Sequence, residues 1–188
     1  MGYFSEADAR SIIRDAYARV APGTSAVAEL LYTADEIGRL PGGAVGLALG
    51  VGHPVRHAAL ARGETVLDLG CGGGIDSLLA ALAVGPLGKV IGLDMTPEML
   101  ELARQHAKQM GMPHVEFREA LIEDIPLPDG SVDVVVANGA LNLSTRQSRT
   151  LAEMMRVVRP GGRIAVADLV ITEALPEAVL RSPAALAG

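Results

Sequence analysis

Residues 68–74, DLGCGGG, put four glycines into a single turn between two apolar stretches. Upstream lies Thr65–Leu69 (TVLDL), short and rich in branched apolar residues. Downstream lies IDSLLAALAV, with apolar residues at helical spacing and no glycine or proline. Glycine tolerates positive φ and lets other atoms approach the backbone closely. A helix starting directly after such a turn aims unpaired N–H groups and a positive dipole end at whatever occupies it. Strand, glycine turn and helix are thus the opening of a βαβ unit and a candidate anion site at once.

The remainder of the chain repeats that alternation. KVIGL (89–93) reads as a second strand, and TPEMLELARQHAKQMG as a helix. That helix has Thr96 as N-cap, Pro97 at its first position and Gly111 past its end. VEFR (115–118) and VDVVVA (132–137) read as strands three and four. SRTLAEMMRVV reads as a helix stopping at Pro160-Gly161-Gly162, and RIAVADLVI (163–171) as strand five. Apolar strands alternating with helices of this length predict a doubly wound, mostly parallel α/β sheet of Rossmann-like type. Ahead of it, residues 5–20 read as a helix capped by Ser5. Thr33 and Glu36 have capping-box spacing before ADEIGRL. Pro41-Gly42-Gly43 ends that piece, GLALGVGHP reads as loop, and VRHAALA as a short helix. The expected organisation is a helical lid over 1–61, a binding core over 62–172 and a tail over 173–188.

Composition removes several classes. A net charge of −6 over 188 residues gives no basic footprint for a nucleic-acid backbone. A single cysteine, Cys71, excludes an internal disulfide framework and a multi-thiolate metal site, so no metal is expected. The longest apolar run, Leu78 to Val84, is far short of the ~20 residues that span a bilayer. MGYFSEADAR carries acids and no apolar leader core. A cytoplasmic protein without a membrane partner is expected.

Asp94 closes strand two, 22 residues after Gly72 (94 − 72). A carboxylate there can accept hydrogen bonds from both hydroxyls of a ribose. Together with the glycine turn it describes a pocket for a nucleoside joined to an anionic group. The dinucleotide pattern G-x-G-x-x-G fails at Ile75 when read from Gly70, and meets Ser77 when read from Gly72. A nicotinamide-dependent oxidoreductase remains the alternative class.

The acid two residues before the first glycine points elsewhere. Asp68-x-Gly70-x-Gly72-x-Gly74 resembles the first motif of the class I S-adenosylmethionine-dependent methyltransferases. VLDLGCGGGIDSLLAA, GKVIGLDMTPEMLELAR, VEFREALIEDIPLPDGSVDVVVAN, LNLS and MMRVVRPGGRIAVADLV resemble the arsenite methyltransferase branch in particular, over roughly Tyr17 to Val170. The resemblance implies S-adenosylmethionine as cofactor and S-adenosylhomocysteine as its product form. It implies Asp68, Gly70, Cys71, Gly72 and Gly74 as the cofactor loop, and Asp94 and Met95 as ribose and adenine contacts. It implies Ile122 and Glu123 as the adenine-edge pair, and Asn138 at the shared mouth of the cofactor and substrate sites. Core packing is the alternative for Ile122, and gap-filling the alternative for Met95.

The chain departs from that branch where arsenic would bind. The segment resembling L-G-C-G-N-P reads Leu49-Gly50-Val51-Gly52-His53-Pro54. The one resembling N-C-V-I-N-L reads Asn138-Gly139-Ala140-Leu141-Asn142-Leu143. Soft trivalent arsenic needs thiolates, which Val51 and Gly139 do not supply. The expected function is methyl transfer to a small-molecule acceptor. The alternatives are arsenite methylation through an external thiol such as glutathione, and cofactor binding without turnover. His53 and Asn138 are the catalytic candidates. An imidazole, with its ordinary pKa near neutrality, suits a base, and His57 lies four residues on. His53 and His57 as ordinary surface or lid residues are the plainer reading, and His106 and His114 are read as solvated. The resembled family's sheet has seven strands, so strands six and seven are expected to be missing here. The apolar strand-five edge then reflects truncation, or invites cover by the tail after Thr172 or by a second copy in a homodimer, which is the expected arrangement.

Overall fold

A computed structural model describes residues 4–187. Residues 1–3, part of the segment searched for a leader, and residue 188 lie outside that range. Five strands, β1 (Thr65–Leu69), β2 (Lys89–Asp94), β3 (Val115–Glu119), β4 (Val132–Asn138) and β5 (Val158–Ala167), form one parallel sheet. Their order is β3-β2-β1-β4-β5, the doubly wound order that reverses direction between β1 and β4. Helices α1 (Glu6–Tyr17), α2 (Ala26–Leu31), α3 (Ala34–Gly38), α4 (Gly42–Gly46) and α5 (Pro54–His57) precede it. Helices α6 (Ile75–Val84), α7 (Pro97–Gln109) and α8 (Gln147–Val157) connect its strands. A 3-10 turn at Leu141–Leu143 follows β4, and α9 (Glu177–Leu180) and α10 (Pro183–Leu186) lie in the tail.

Because helices cover both faces, the strands are apolar on both. Val66, Val90, Val134 and Val136 meet Leu79 and Ala80 of α6 on one side. Leu67, Leu69, Ile91, Leu93 and Val135 meet Met154 and Val157 of α8 on the other. Each fully buried aliphatic side chain contributes about 1.5–3 kcal/mol relative to exposure. These two layers therefore set the register that carries Asp68, Asp94 and Asn138 to the same end of the sheet.

Local chemistry explains the helix starts. Ser5 caps α1 by accepting the Asp8 N–H at 3.1 Å. Thr33 and Glu36 form the expected capping box at α3. Thr96 occupies the N-cap position of α7 without a capping bond from its side chain, and its own N–H donates to Asp94 at 2.9 Å. Several boundaries differ from expectation, and β5 ends at Ala167 rather than at residue 171. Helix α4 forms where Pro41-Gly42-Gly43 read as a stop, because burial of Ala44 and Val45 outweighs glycine's weak propensity. Helix α8 ends at Val157 and β5 begins at once. Val132 pairs with Val158 and Val134 with Arg163, so Arg159–Gly162 form an irregularity inside the strand.

At the β5 edge the apolar side chains stay open. Ile164 and Val166 are 36% and 40% exposed, and Leu151 and Met155 of α8 lie beside solvent too. Among the described residues no helix is long and apolar enough to cross a membrane.

Candidate cofactor site

A cleft enclosing about 950 Å³, open mouth included, lies over the carboxyl ends of β1, β2 and β4. It sits at the switch point where open α/β sheets bind ligands. Asp68, Gly70, Cys71 and Gly72 line it, as do Asp94 and Met95. Ile122 and Glu123 line it from the loop after β3, and Asn138 from the end of β4. Two expected residues are elsewhere. Gly74 is the N-cap of α6 at φ +88°, where a Cβ would lie 3.1 Å from Ala103 and 3.2 Å from the ring of Phe117, so its role is the turn itself.

His53 does not line the cleft. Its Nε2 lies 2.9 Å from the Glu36 carboxylate, and its Nδ1 accepts the Arg56 N–H at 3.2 Å, capping α5. The ring is buried and tilted over Tyr32, with centroids 4.6 Å apart. Both ring nitrogens are engaged with the protein, so the structure gives His53 a bracing role in the lid rather than that of a base at the reacting atoms. His106 is also corrected. It is buried, not solvated, and its Nδ1 lies 2.9 Å from the Gly73 carbonyl, bracing the glycine turn from below. His114 is half-buried, with Nε2 3.4 Å from the Ala81 carbonyl.

Most amides of the turn are taken by the protein. Gly70 and Cys71 donate to the Leu93 carbonyl at 2.8 and 3.0 Å, and Gly74 donates to Cys71. Gly72 donates to Asp94 at 2.9 Å. The donors left for a ligand anion are those of Gly73 in the turn and of Ile75 and Asp76 in the first turn of α6, to which no acceptor among the described residues is assigned. Asp94 is thus held from two sides, by Gly72 and Thr96. Burial pushes its pKa up, and bonds from the Gly72, Thr96 and Met95 N–H groups and the Thr96 hydroxyl oppose the rise.

Two further carboxylates stand behind the turn. Asp68 accepts from the Ser77 hydroxyl at 2.6 Å. Asp76 accepts from Tyr32 Oη at 3.1 Å and from Asn138 Nδ2 at 2.9 Å. Burial pushes both pKa values up, that of Asp68 aided by the negative charge of Asp76, while the neutral donors pull the other way. Sequence reasoning missed Asp76, because an acid in the first turn of a helix is ordinary. Glu123 differs. Burial would raise its pKa, but bonds from Ser144 and Thr145 outweigh that and hold it below the usual carboxylate range. It ties the loop after β3 to the turn after β4. Four acids against Arg10 as the lining base make the cleft suited to a ligand carrying positive charge.

Asn138 lines the cleft, yet its carboxamide is spent on the protein. Oδ1 accepts the N–H groups of Val51 and Gly52, and Nδ2 donates to the Gly52 carbonyl and to Asp76. It joins lid, sheet and α6. Cys71 is buried in the turn, and burial followed by the charge of Asp94 pushes its thiol up.

The profile of a family described as a methyltransferase domain matches residues 60–187. The chain belongs to that methyltransferase family. It is 46% identical to the arsenite methyltransferase of Halobacterium salinarum over 157 residues, covering 84% of this chain and 40% of that protein. It is 36% identical to the demethylmenaquinone methyltransferase of Listeria welshimeri over 107 residues, covering 57% of this chain and 45% of that one. The arsenic(III) S-adenosylmethionine methyltransferase of Chlamydomonas reinhardtii superimposes with a TM-score of 0.69 at 34% identity, over 85% of this chain and 53% of that one. The chain thus spans about half the length, or less, of these relatives. The methyltransferase family and its structural neighbours imply S-adenosylmethionine as cofactor. The donor set fits that molecule. First-turn N–H groups suit its carboxylate, Asp68 and Asp76 its ammonium, and Asp94 its ribose.

Proposed function

We propose that this chain holds S-adenosylmethionine and positions it for methyl transfer to a small, neutral or apolar organic acceptor. The observation that carries the reading is Asp94, oriented by the Gly72 and Thr96 N–H groups beside the open first turn of α6. When bound, the cofactor supplies an electrophilic methyl group on a positively charged sulfur. The protein's contribution is placement and exclusion of water, which suffice for an ionised or soft nucleophile. Leu49, Gly139, Ala140 and Leu143 are uncharged lining residues of the cleft, against which an apolar acceptor fits.

A second reading, favoured by the 46% identical archaeal relative, is methylation of arsenite brought in as an external thiol conjugate. The chain's one cysteine is buried and poorly ionised, so this route needs thiols from outside the chain. A cytoplasmic setting belongs to the same proposal, as does self-association through the open β5 edge. A concentration-dependent dimer in sedimentation supports the latter, and a monomer at high concentration opposes it.

Calorimetric titration with S-adenosylmethionine, S-adenosylhomocysteine and NAD tests the cofactor. Tight binding of the first two and none of NAD is expected. Asp94→Ala should weaken S-adenosylmethionine by about 1.5–3 kcal/mol, the range for hydrogen bonds to a charged group. Unchanged affinity would overturn the ribose assignment. A labelled-methyl screen with quinones, phenols and arsenite plus glutathione separates the acceptors. Binding without transfer to any of them would leave a cofactor-binding protein.

A further inference from the structure

Tyr32, the C-cap residue of α2, belongs to the apolar cluster that includes Ala28, Val55 and Ala58, and it is 4% exposed. Packing alone needs no hydroxyl there, since phenylalanine would fill the same space. A buried hydroxyl without a hydrogen bond is costly, so its partner tells what it is for. That partner is Asp76, whose Oδ1 accepts from Tyr32 Oη at 3.1 Å while its Oδ2 accepts from Asn138 Nδ2 at 2.9 Å. Asp76 lines the cleft and Tyr32 does not. The hydroxyl thus reaches the carboxylate from outside the cleft, on the lid side.

The lid holds that hydroxyl in place. The Tyr32 ring packs against the His53 ring, and the Nε2 of His53 is anchored on Glu36 at 2.9 Å. Glu36 is anchored in turn by the Thr33 capping box. The end of α2, the start of α3 and the start of α5 therefore converge on one oxygen of a carboxylate that α6 presents to the cleft. Donors on both oxygens set the plane of that carboxylate. Burial disfavours its ionised form most, and the Glu36 charge on α3 and the like charge of Asp68 on β1 add to this. The Asn138 and Tyr32 donors favour the ionised form, as does the charge of His53 when protonated. We infer that Tyr32 is a positioning residue for the amino-acid end of the cofactor, its hydroxyl turning the Asp76 carboxylate to receive the ligand's ammonium. The lid then takes part in binding through a residue that touches no ligand.

The inference rests on the adenosyl reading of the cleft, and its test keeps the two apart. S-adenosylhomocysteine and methylthioadenosine, a nucleoside thioether without the amino-acid group, are titrated into wild type, Tyr32→Phe, Asp76→Asn and the double variant. The range is about pH 5 to 7, where the ligand's ammonium is intact. Tyr32→Phe should bind S-adenosylhomocysteine about tenfold more weakly, the worth of one hydrogen bond, and methylthioadenosine as wild type does. A proton on Asp76 competes with the ligand's ammonium. The pH at which S-adenosylhomocysteine affinity is half lost should therefore rise by about one unit, because Asp76 has lost a donor that favours its charge. In the Asp76→Asn background the tyrosine change should cost nothing further. An equal loss for both ligands would assign Tyr32 to lid packing and overturn the inference, as would the full loss persisting in the Asp76→Asn background. Wild-type affinity with an unmoved pH midpoint in Tyr32→Phe also overturns it and leaves the adenosyl reading intact. Failure of the wild type to bind either ligand sinks both.

Discussion

Asn138→Leu is expected to cost about 3–5 kcal/mol of folding stability and to release the lid, although leucine fills nearly the same space. The loss comes from what the carboxamide holds. Val51 is half in solvent, so water can take over its N–H once Oδ1 is gone. Asp76 is only 5% exposed and loses the donor at 2.9 Å, keeping Tyr32 alone. A buried carboxylate deprived of half its donors is the expensive item. The double variant Asp76→Asn/Asn138→Leu should therefore recover about 1–3 kcal/mol relative to additivity, since the stranded charge is gone. Urea denaturation of the four proteins in the cycle measures this. Additive costs would show that Asn138 acts mainly through the lid amides. Gly50 belongs to the same contact, because a Cβ there would run into the Asn138 side chain. A glycine in a stretch that read only as loop is required by a close approach.

That pair shows how far the sequence could be read. The sheet was legible because its signal is local and redundant. Five apolar runs sit at 65, 89, 115, 132 and 163, and each has a strand over it. Asp68, Asp94 and the glycine turn were legible because their spacing along a βαβ unit fixes their place in space. What a side chain spends its hydrogen bonds on was not legible, since that depends on segments distant in sequence. Asn138 reaches 86 residues back to Gly52, and His106 reaches 33 residues back to Gly73. His53 looked like a base because an imidazole near a cleft is chemically apt, but Glu36 and the α5 amide claim both its nitrogens.

The second large effect is a change with opposite signs on stability and on binding. Asp68 and Asp76 face each other's charge in a buried site whose bonds to them come from neutral groups. Their pKa values in the folded chain lie above the ordinary 3.8, so over that interval the folded state holds protons that the unfolded state has released. Stability falls as pH rises wherever the folded state binds more protons. This contribution is therefore fully present below the ordinary value and lost as pH rises through the raised ones. The salt-bridged acids Glu64, Glu116, Glu153 and Asp133 have lowered values and act oppositely, gaining stability up to their ordinary range and nothing above it. Subtracting the pH profile of Asp68→Asn from that of wild type isolates the buried pair. The variant should be more stable than wild type by about 1–3 kcal/mol at pH 8, as expected when a neutral isostere replaces a buried charge, with the gap closing toward pH 4. The same variant should bind S-adenosylmethionine about tenfold more weakly at pH 8, having lost a charged partner for the ligand's ammonium. Binding by the wild type should release protons, seen as a calorimetric enthalpy that varies with the ionisation enthalpy of the buffer. Wild-type affinity that does not rise with pH, or an Asp68→Asn protein no more stable at pH 8, would mean that these carboxylates are not held in reserve for a cation. If both effects are found, the cleft gives up stability when empty for the charge that receives the cofactor.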